Sequence, residues 1–581
     1  MPLPRTLLLL LLAAPGVAGA QGLGLDLGGP QKKAEPQKAV PAPAAKPAAP
    51  MTLDAINVAG RSAGRQRMDA AKRLYDDKAW ESAAVGFDEI LRDRSIAAEH
   101  DEARYRLAQS LEKLGLYYSA FSRYEEILAK GPQGSKFYYN ALDGLFSAAR
   151  HMANDRVVLA GTARLAGEKM PAEYQDRLNL LLARYHYERG RALLESGQAA
   201  EARRELEEAR RLAGQVRPGA TSAAIGSDVG NPTENLAARA RFVDGTALYA
   251  LGSEPQALDA FKDVIRLTNP RKTAQSDARV RELAFLQLAR IHYEHKQNRY
   301  AIWYFGKMPW GEPLWLEGLW ESSYAHYRIG DYEKALGNLL TLHSPFFVDE
   351  YFPESYILKA VIYFENCRYP EARSILEDFT RRYEPVYQEL VRLTARKVPP
   401  STFYEEIEQG QKAGDADRGS LMRKVMKIAL TDDAIDRLND SIQQLEKEMD
   451  EGVAGRGRFA RTALGEDLLQ RLKADRARLV EEAGARARQK LEAERDDLKR
   501  LLEQALRVKI EVSRKEREAL EASLAKGAPV NVLRPYRYTT AVSDEHEYWP
   551  YEGESWRDEL GTYSYTLTRG CREGPGRLSS P

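Results

Sequence analysis

The chain has 581 residues, a length that favours several structural units over a single core. Its 86 Lys and Arg residues nearly balance its 85 Asp and Glu residues, and a net charge of +1 excludes a strongly basic nucleic-acid-binding protein. The two cysteines, Cys367 and Cys571, exclude a disulfide-dense scaffold and a zinc site built from four thiolates.

Residues 1–20 predict a secretory signal peptide. Arg5 precedes the apolar run Leu7–Ala14, and Ala18-Gly19-Ala20 provides a small-x-small cleavage site before Gln21. The run is well short of the ~20 residues that span a bilayer, and no other window predicts a transmembrane segment. We therefore expect a cleaved signal peptide and export to the bacterial periplasm, a compartment consistent with so few cysteines.

Residues 21–60 form a segment of low complexity that is rich in Pro and Ala. Six prolines lie among Ala, Gly and Lys between Gly22 and Pro50. Because this composition cannot bury enough apolar surface to fold, it predicts a disordered tether.

Residues 61–395 carry an internal repeat. Each unit has a small residue at the same internal position: Ala83, Ala120, Ala202, Ala257, Ala301, Ala335 and Ala372. Their separations are 37, 82, 55, 44, 34 and 37 residues. The gap of 82 would hold one more, poorly matching unit around Ala148–Arg164, and Gly214–Asn235 is a loop that lengthens one interval.

The pattern predicts helical hairpins. Small residues let two antiparallel helices approach closely, a glycine frees the turn, and large residues pack against the next hairpin. The stretch Gly330-Asp331-Tyr332-Glu333-Lys334-Ala335 resembles the tetratricopeptide repeat (TPR), whose period is 34 residues. The resemblance implies an all-α, right-handed solenoid of seven to eight degenerate repeats, with a concave groove for partners.

Aromatic residues occupy equivalent positions on the first helix of four successive units. They are Tyr249, Tyr293, Tyr327 and Phe364. In the TPR family this position faces or borders the groove, so the resemblance implies an aromatic ladder for a partner segment, with ordinary packing as the alternative. Four tryptophans mark an inter-repeat elbow, where we expect packing, with carbohydrate or peptide contact as the alternative: Trp303, Trp310, Trp315 and Trp320.

Cys367 and Cys571 have two interpretations. In an oxidising compartment a disulfide between them would attach the C-terminal tail to the last repeat. Alternatively, Cys367 is a surface turn residue, since it lies where other repeats carry Gly.

Residues 396–527 predict a coiled-coil helical hairpin. The first arm has a heptad seam: Ile428, Ile435, Leu438, Ile442, Leu445 and Met449. Gly452, Gly455 and Gly457 interrupt it, and a second charged helix runs from about Leu468 to Lys526. Because the two arms differ in length, the shorter arm leaves part of the apolar seam of the longer arm uncovered, and this part would bind a second copy of the chain or a partner coiled coil. The alternative is a solvated helix without a partner.

Residues 528–581 form an aromatic C-terminal segment. Residues 536–541 and 563–568 read as strands of a β-hairpin. The segment is too short for an independent domain, so we expect it to dock on the repeats or the hairpin, with partner recognition as the alternative. Its tail motif centres on Trp549, Gly553 and Trp556.

Enzyme motifs are absent or lack their structural context. The sequence has no phosphate-binding loop and no H-E-x-x-H zinc helix. Gly60–Gly64 spells G-x-S-x-G but precedes a helical repeat rather than following a strand. His292 and His295 lack a third metal ligand, and the tail acids read as surface or docking residues: Glu552, Glu554, Asp558 and Glu559. We therefore expect no enzymatic activity and no cofactor.

The order of elements and the motif W-P-Y-x-G-E-x-W-x-D-E-L-G, from Trp549 to Gly561, resemble periplasmic repeat proteins of deltaproteobacterial envelopes. Within that group, the proteins of the adventurous gliding-motility machinery are the most similar in organisation. The resemblance implies a non-enzymatic scaffold of an envelope-spanning complex, on the outer-membrane side, that binds envelope proteins through its groove and coiled coil. The alternatives are a cell-division or outer-membrane-assembly factor, and a peptidoglycan-processing enzyme or its activator.

Overall fold

A computed structural model describes most of the chain after the tether. The described residues are 55–152, 165, 171–220, 235–272, 277–312, 314–348, 350–412, 416–430, 432–525 and 554–567. Several predicted features lie outside these residues: the signal peptide, most of the tether, Trp549, Gly553 and Cys571. Much of the poorly matching unit around Ala148–Arg164 also lies outside them.

Within the described residues the chain forms nineteen α-helices and no β-strand, which confirms the predicted all-α class. The first fifteen helices are α1 (Ala55–Asp76), α2 (Trp80–Arg92), α3 (His100–Lys113), α4 (Tyr117–Leu128), α5 (Tyr138–Arg150), α6 (Ala172–Glu195), α7 (Ala199–Ala213), α8 (Leu236–Ala250), α9 (Glu254–Leu267), α10 (Ala278–Glu294), α11 (Asn298–Phe305), α12 (Trp315–Arg328), α13 (Tyr332–Leu342), α14 (Pro353–Glu365) and α15 (Tyr369–Thr394). Apart from α5, they pair into seven hairpins joined by three-residue turns.

Each hairpin turns at one residue with a positive φ. The seven residues are Lys78, Gly115, Gly197, Gly252, Lys296, Gly330 and Cys367. In every turn the next residue donates its N–H to the carbonyl oxygen five positions earlier, as Asp331 does to His326 over 3.0 Å. This Schellman arrangement ends one helix and aims the next one back along it.

The predicted small residues lie five positions after these turns, where the two helices of a hairpin meet. All seven, from Ala83 to Ala372, are fully buried. The separations read from the sequence therefore recur in the backbone, and the structure confirms a TPR-like solenoid of helical hairpins.

Four further helices follow the repeats: α16 (Pro400–Lys412), α17 (Ala416–Leu430), α18 (Asp433–Lys447) and α19 (Ala463–Ala525). At 1.5 Å per residue α19 is about 95 Å long. It runs antiparallel to α18, where Arg476 lies 2.7 Å from Glu446, and also antiparallel to α15. There Arg495 donates to Thr394, and Arg373 pairs with Glu516. The long arm therefore lies along the last repeat.

The C-terminal helices also contact the second hairpin. Arg123 on α4 pairs with Asp467 on α19 over 2.7 Å. The C-terminal helices also share an apolar core with both ends of the repeats: it contains residues of α1–α5, of α13–α15 and of α16–α19. By contrast, α9–α11 pack around two smaller clusters. Among the described helices, none is both long and apolar enough to cross a bilayer.

The predicted strand at 563–568 is not formed over its described part, residues 563–567. These residues are irregular and lie on α13, where the Tyr565 N–H donates to the Glu333 carbonyl oxygen over 2.9 Å. The segment therefore satisfies its backbone on a helix rather than on a neighbouring strand. The other predicted strand, residues 536–541, lies outside the described residues.

Candidate partner-binding surfaces

The four predicted ladder residues lie on the first helices of four successive hairpins, and each is half-buried. Three of them contact the hairpin that follows. The Tyr249 hydroxyl donates to Glu294 over 2.5 Å, and the Tyr327 hydroxyl donates to Glu365 over 2.8 Å.

Tyr293 makes the corresponding contact with its ring. The Arg328 guanidinium lies 4.0 Å from the ring centre, and its N–H donates to the Tyr293 carbonyl oxygen. Glu294, Arg328 and Glu365 each directly follow the next ladder aromatic in sequence. The ladder side chains therefore tie each repeat to the next.

Burial determines how these phenols titrate. It raises the pKa of Tyr293 to about 12, partly opposed by the Arg328 charge. Burial, reinforced by the neighbouring carboxylates Glu294 and Glu365, also raises the pKa values of Tyr249 and Tyr327. All three phenols stay protonated and act as hydrogen-bond or packing groups near neutral pH.

The tryptophan elbow divides into two packed and two exposed rings. Trp320 packs edge-on against Tyr324. Trp315 packs against Phe347 with the two rings tilted. Trp303 and Trp310 keep 54% and 52% of their surface exposed. These two exposed indole rings are therefore the part of the elbow that is open to a partner.

Trp303 borders an open pocket between α11 and the α12–α13 turn. Ile302 and Ile329 supply apolar walls, and Arg299, His326, Gly330 and Asp331 complete the lining. The Asp331 carboxylate is already engaged by the His326 ring, 2.9 Å away, and by the Lys334 N–H. Tyr300, 63% exposed, extends the aromatic surface on α11.

The C-terminal segment occupies a comparable surface on the next hairpin. We call Glu333, Lys334, Gly337 and Thr341 on α13 the tail strip. The Gly561 N–H donates to the Thr341 hydroxyl over 2.9 Å. The Lys334 ammonium donates to the carbonyl oxygens of Gly561 and Tyr563, and the Leu567 N–H donates to the Glu333 carboxylate.

Two glycines allow this close approach. A Cβ at position 337 would lie 2.0 Å from the Tyr563 carbonyl oxygen, and a Cβ at Gly561 would meet the Trp315 indole at 2.7 Å. Most of the hydrogen bonds go to the tail backbone, while Leu560 is buried and the Tyr565 ring packs edge-on against Tyr363. The tail strip therefore holds residues 561–567 mainly through their main chain.

The exposed surface on α11 repeats the tail strip one period earlier. The turns at Lys296 and Gly330 are 34 residues apart, so each tail-strip residue has an equivalent 34 positions earlier. These equivalents are Arg299, Tyr300, Trp303 and Lys307. We call these four residues the open strip. Trp310, three residues after the open strip in sequence, has its ring centre 6.2 Å from that of Trp315, which lies beside the tail at Gly561.

The predicted heptad seam lies inside the chain. Five of its residues are at most 1% exposed, and Met449 is partly buried: Ile428, Ile435, Leu438, Ile442 and Leu445. These side chains belong to the same core as the last repeats, and α19 covers them. Self-association through this seam stays a prediction. Among the described residues of 396–527, the large exposed apolar side chains are those of Leu506, Ile510 and Leu524, further along α19.

Glu448, just after α18, connects the C-terminal helices to the second hairpin. Its carboxylate accepts the N–H groups of Tyr118 and Ser119 at 2.9 and 3.0 Å, together with the Ser119 hydroxyl at 2.7 Å. Leu116, the N-cap residue of α4, has an apolar side chain that cannot accept these N–H groups, so the Glu448 carboxylate caps the helix instead. Burial raises the pKa of Glu448, although these hydrogen bonds oppose the rise.

Arg456 completes this contact, which we call the clasp. Its guanidinium donates to the Leu114 and Gly452 carbonyl oxygens and pairs with Glu81 over 3.0 Å. The clasp thus joins the segment between α18 and α19 to the first two hairpins.

The sequence-derived candidates for chemistry are separated in space. His292 stacks between Tyr300 and Tyr304, whereas His295 pairs with Glu254. No group of three or more metal-ligating side chains occurs among the described residues. Gly60–Gly64 lies inside α1, so the G-x-S-x-G stretch is not on a strand-to-helix turn.

Cys367 occupies the left-handed turn of the last hairpin and is disulfide-bonded. Its pairing with Cys571 stays a prediction, since Cys571 lies outside the described residues. Of the three residues on which the predicted tail motif centres, Trp556 alone lies within the described residues: it is exposed, and its backbone N–H donates to the Tyr563 hydroxyl.

No protein-family model matches the chain, and no curated protein matches it. Solved structures that it resembles include yeast Tom70, at 12% identity over 71% of this chain and 95% of that chain, with a TM-score of 0.18. The APC/C hetero-tetramer Cut9-Hcn1 is 15% identical over 70% of this chain and 83% of that chain (TM-score 0.20), and Naa15/Naa10 bound to HypK-THB is 15% identical over 83% and 72% (TM-score 0.23). At such TM-scores the likeness carries no further argument, and the TPR-like fold rests on the chain's own helices and turns.

Neither the open strip nor the clasp was found by sequence reasoning. The open strip had a detectable signal, since Tyr300 and Trp303 lie three residues apart on a predicted helix, outside the small-residue positions. The clasp had none, because its partners are about 330 residues apart in sequence.

Proposed function

We propose that this protein is a non-enzymatic scaffold that binds other proteins in the bacterial periplasm, as part of an envelope-spanning complex of the gliding-motility type. The observation that supports binding best is the exposed aromatic surface of Tyr300, Trp303 and Trp310 beside an open pocket. Trp and Tyr are enriched among the few residues that supply most of the binding energy in protein interfaces. The export signal and the tail motif support the envelope assignment.

The test is crosslinking in intact cells, followed by isolation of the tagged full chain and of its Trp303→Ala variant. We expect envelope proteins of the motility machinery with the parent chain and their loss with the variant. Tyr139→Ala is the control, because Tyr139 is also exposed (42%) but lies on α5. Recovery of division or outer-membrane-assembly proteins would instead favour that alternative.

Export and lack of peptidoglycan cleavage are tested separately. We expect the mature chain in the periplasmic fraction, beginning at Gln21, and no release of soluble muropeptides from purified peptidoglycan. A cytoplasmic chain that retains residues 1–20 would contradict the location. Muropeptide release that is lost in Glu554→Gln would instead support the enzyme alternative.

A further inference from the structure

We infer that the open strip binds an extended segment of a partner protein with the pattern acidic–x–apolar–x–acidic. The inference rests on the proposed function, since it names the chemistry of the partner at the surface described above. It differs from a groove-binding model because Arg299, Tyr300 and Trp303 lie on α11, the second helix of its hairpin, and Lys307 lies just beyond that helix, whereas the ladder lies on first helices.

The docked tail shows how an extended chain matches a helix of this solenoid. Gly561, Tyr563 and Tyr565 contact the tail strip at Thr341, Gly337 and Glu333 in turn. Every two tail residues therefore advance four helix residues. Gly561 and Thr562 form a turn, so the match in length applies to the step from Tyr563 to Tyr565. There, two residues of extended chain span about 6.6 Å and four residues of helix about 6.0 Å.

The same spacing applied to the open strip defines the ligand. Arg299 and Trp303 are four residues apart on α11, so they face positions i and i+2 of an extended segment. Lys307 lies two residues beyond the end of α11, and its ammonium, beside the Trp303 ring, is placed to meet position i+4. A carboxylate at each end would meet the Arg299 guanidinium and the Lys307 ammonium, and an apolar side chain between them would lie over Trp303.

The charges of the open strip are available for such a ligand. Arg299 and Lys307 are exposed, and neither forms an ion pair with the described part of the chain. The Lys307 ammonium lies 4.5 Å from the centre of the Trp303 ring, which places a cation beside the indole. Asp331, the acidic residue of the adjoining pocket, is already engaged by His326 and the Lys334 N–H.

The open strip is not a second site for the chain's own tail. The tail strip accepts the tail backbone at Gly337, where even a Cβ would clash. The equivalent open-strip residue is Trp303, whose ring fills the space that the main chain would need. The open strip therefore selects a ligand that contacts it through side chains.

The experiment uses fluorescein-labelled twelve-residue peptides and the full mature chain, with binding followed by fluorescence anisotropy. The test peptide carries two Glu residues four positions apart with Phe midway. One control peptide replaces Glu with Lys, and another keeps the composition but places the Glu residues side by side. We expect measurable binding of the test peptide alone, weakened at higher salt.

Trp303→Ala should weaken binding of the test peptide about tenfold, as expected for a central aromatic contact. The double charge reversal Arg299→Glu with Lys307→Glu should abolish binding, while Tyr139→Ala should leave it unchanged. These residues are exposed, so circular dichroism should show intact folding. Equal binding of the side-by-side peptide, or unchanged binding by Trp303→Ala, would overturn the inference.

The two proposals fail in different ways. If no peptide binds but Trp303→Ala still loses envelope partners in cells, the acidic segment is wrong and the scaffold function stands. If the peptide binds as expected but the chain recovers no envelope protein, the peptide specificity stands and the envelope function is wrong.

Discussion

Three of the seven hairpin turns place a residue with a side chain in the left-handed backbone region: Lys78, Lys296 and Cys367. A Cβ disfavours this conformation, which glycine adopts readily, so these turns are held by the Schellman hydrogen bonds and by the packing of their helices. Gly330, at φ 78°, is a clean reference, since a Cβ there would touch nothing within 4 Å.

We expect Lys296→Gly to raise the free energy of unfolding by about 1 kcal/mol, and Gly330→Ala to lower it by about the same amount. The first change removes a Cβ from a left-handed turn residue and the second adds one at the equivalent position of the next hairpin, so the conformational effects should have opposite signs. Urea unfolding followed by circular dichroism measures both. Two shifts of the same sign would contradict a conformational origin.

Glu354, in the first turn of α14, has its pKa raised to about 7 by burial, with Glu494 and Asp497 adding to the rise and Lys490 opposing it. A raised pKa means that the folded state favours the protonated carboxyl. Stability from this group is fully present below its unfolded pKa of about 4.5 and is lost as the pH rises through about 7.

We therefore expect Glu354→Gln to be more stable than the parent at pH 8, with the difference shrinking towards pH 5. Thermal unfolding of both proteins across this range measures it. Glu201→Gln is the control, because Glu201 lies in the first turn of α7 and is exposed. A difference that does not change with pH would show that ionisation of Glu354 plays no part.

At the scale of elements, α13 both completes a repeat and carries the tail. Gly337 is the residue that allows both, since the tail main chain lies where any side chain would extend. The equivalent position on α15, 37 residues later, is the exposed Ser374.

Gly337→Val should release residues 554–567 from α13 without unfolding the repeats. Limited proteolysis should then cleave the tail faster than in the parent, while the helical circular dichroism stays the same. Ser374→Val is the matched control and should leave cleavage unchanged. A tail that stays protected in Gly337→Val would mean that contacts such as Leu560 hold it without the backbone hydrogen bonds.

At the scale of the whole molecule, the clasp and α19 connect the second hairpin to the last. A solenoid without such a connection changes curvature easily, because each repeat contacts only its neighbours. Here Glu448 and Arg456 at one end, and the α15–α19 contact at the other, hold the intervening repeats in one arc.

Replacing both Glu448 and Arg456 with Ala should open the arc and increase the radius of gyration in small-angle scattering. The repeats should stay folded, because their cores form within and between neighbouring hairpins. Glu446→Gln is the control, since Glu446 pairs with Arg476 within the α18–α19 hairpin. An unchanged radius in the double variant would show that α19 alone maintains the shape.

The sequence by itself determined the repeat. Each hairpin forms between residues fewer than about forty positions apart, so the small residues, turn glycines and large residues are all within reach of one another. Spacing therefore predicted all seven small residues, which the structure buries, and the turn position at Cys367, where other repeats carry Gly. It did not single out the turns at Lys78 and Lys296, which also have no glycine.

Only the tertiary structure decided what lies between distant parts of the chain. The tryptophan elbow divided into packed and exposed rings because Trp315 and Trp320 meet Phe347 and Tyr324, whereas Trp303 and Trp310 stay about half exposed. Residues 563–567 lie on α13 instead of forming a strand. The clasp depends on the summed rotations of several repeats, which bring Glu448 to the start of α4. Small rotations per repeat accumulate along a solenoid, so local pattern cannot predict which ends meet.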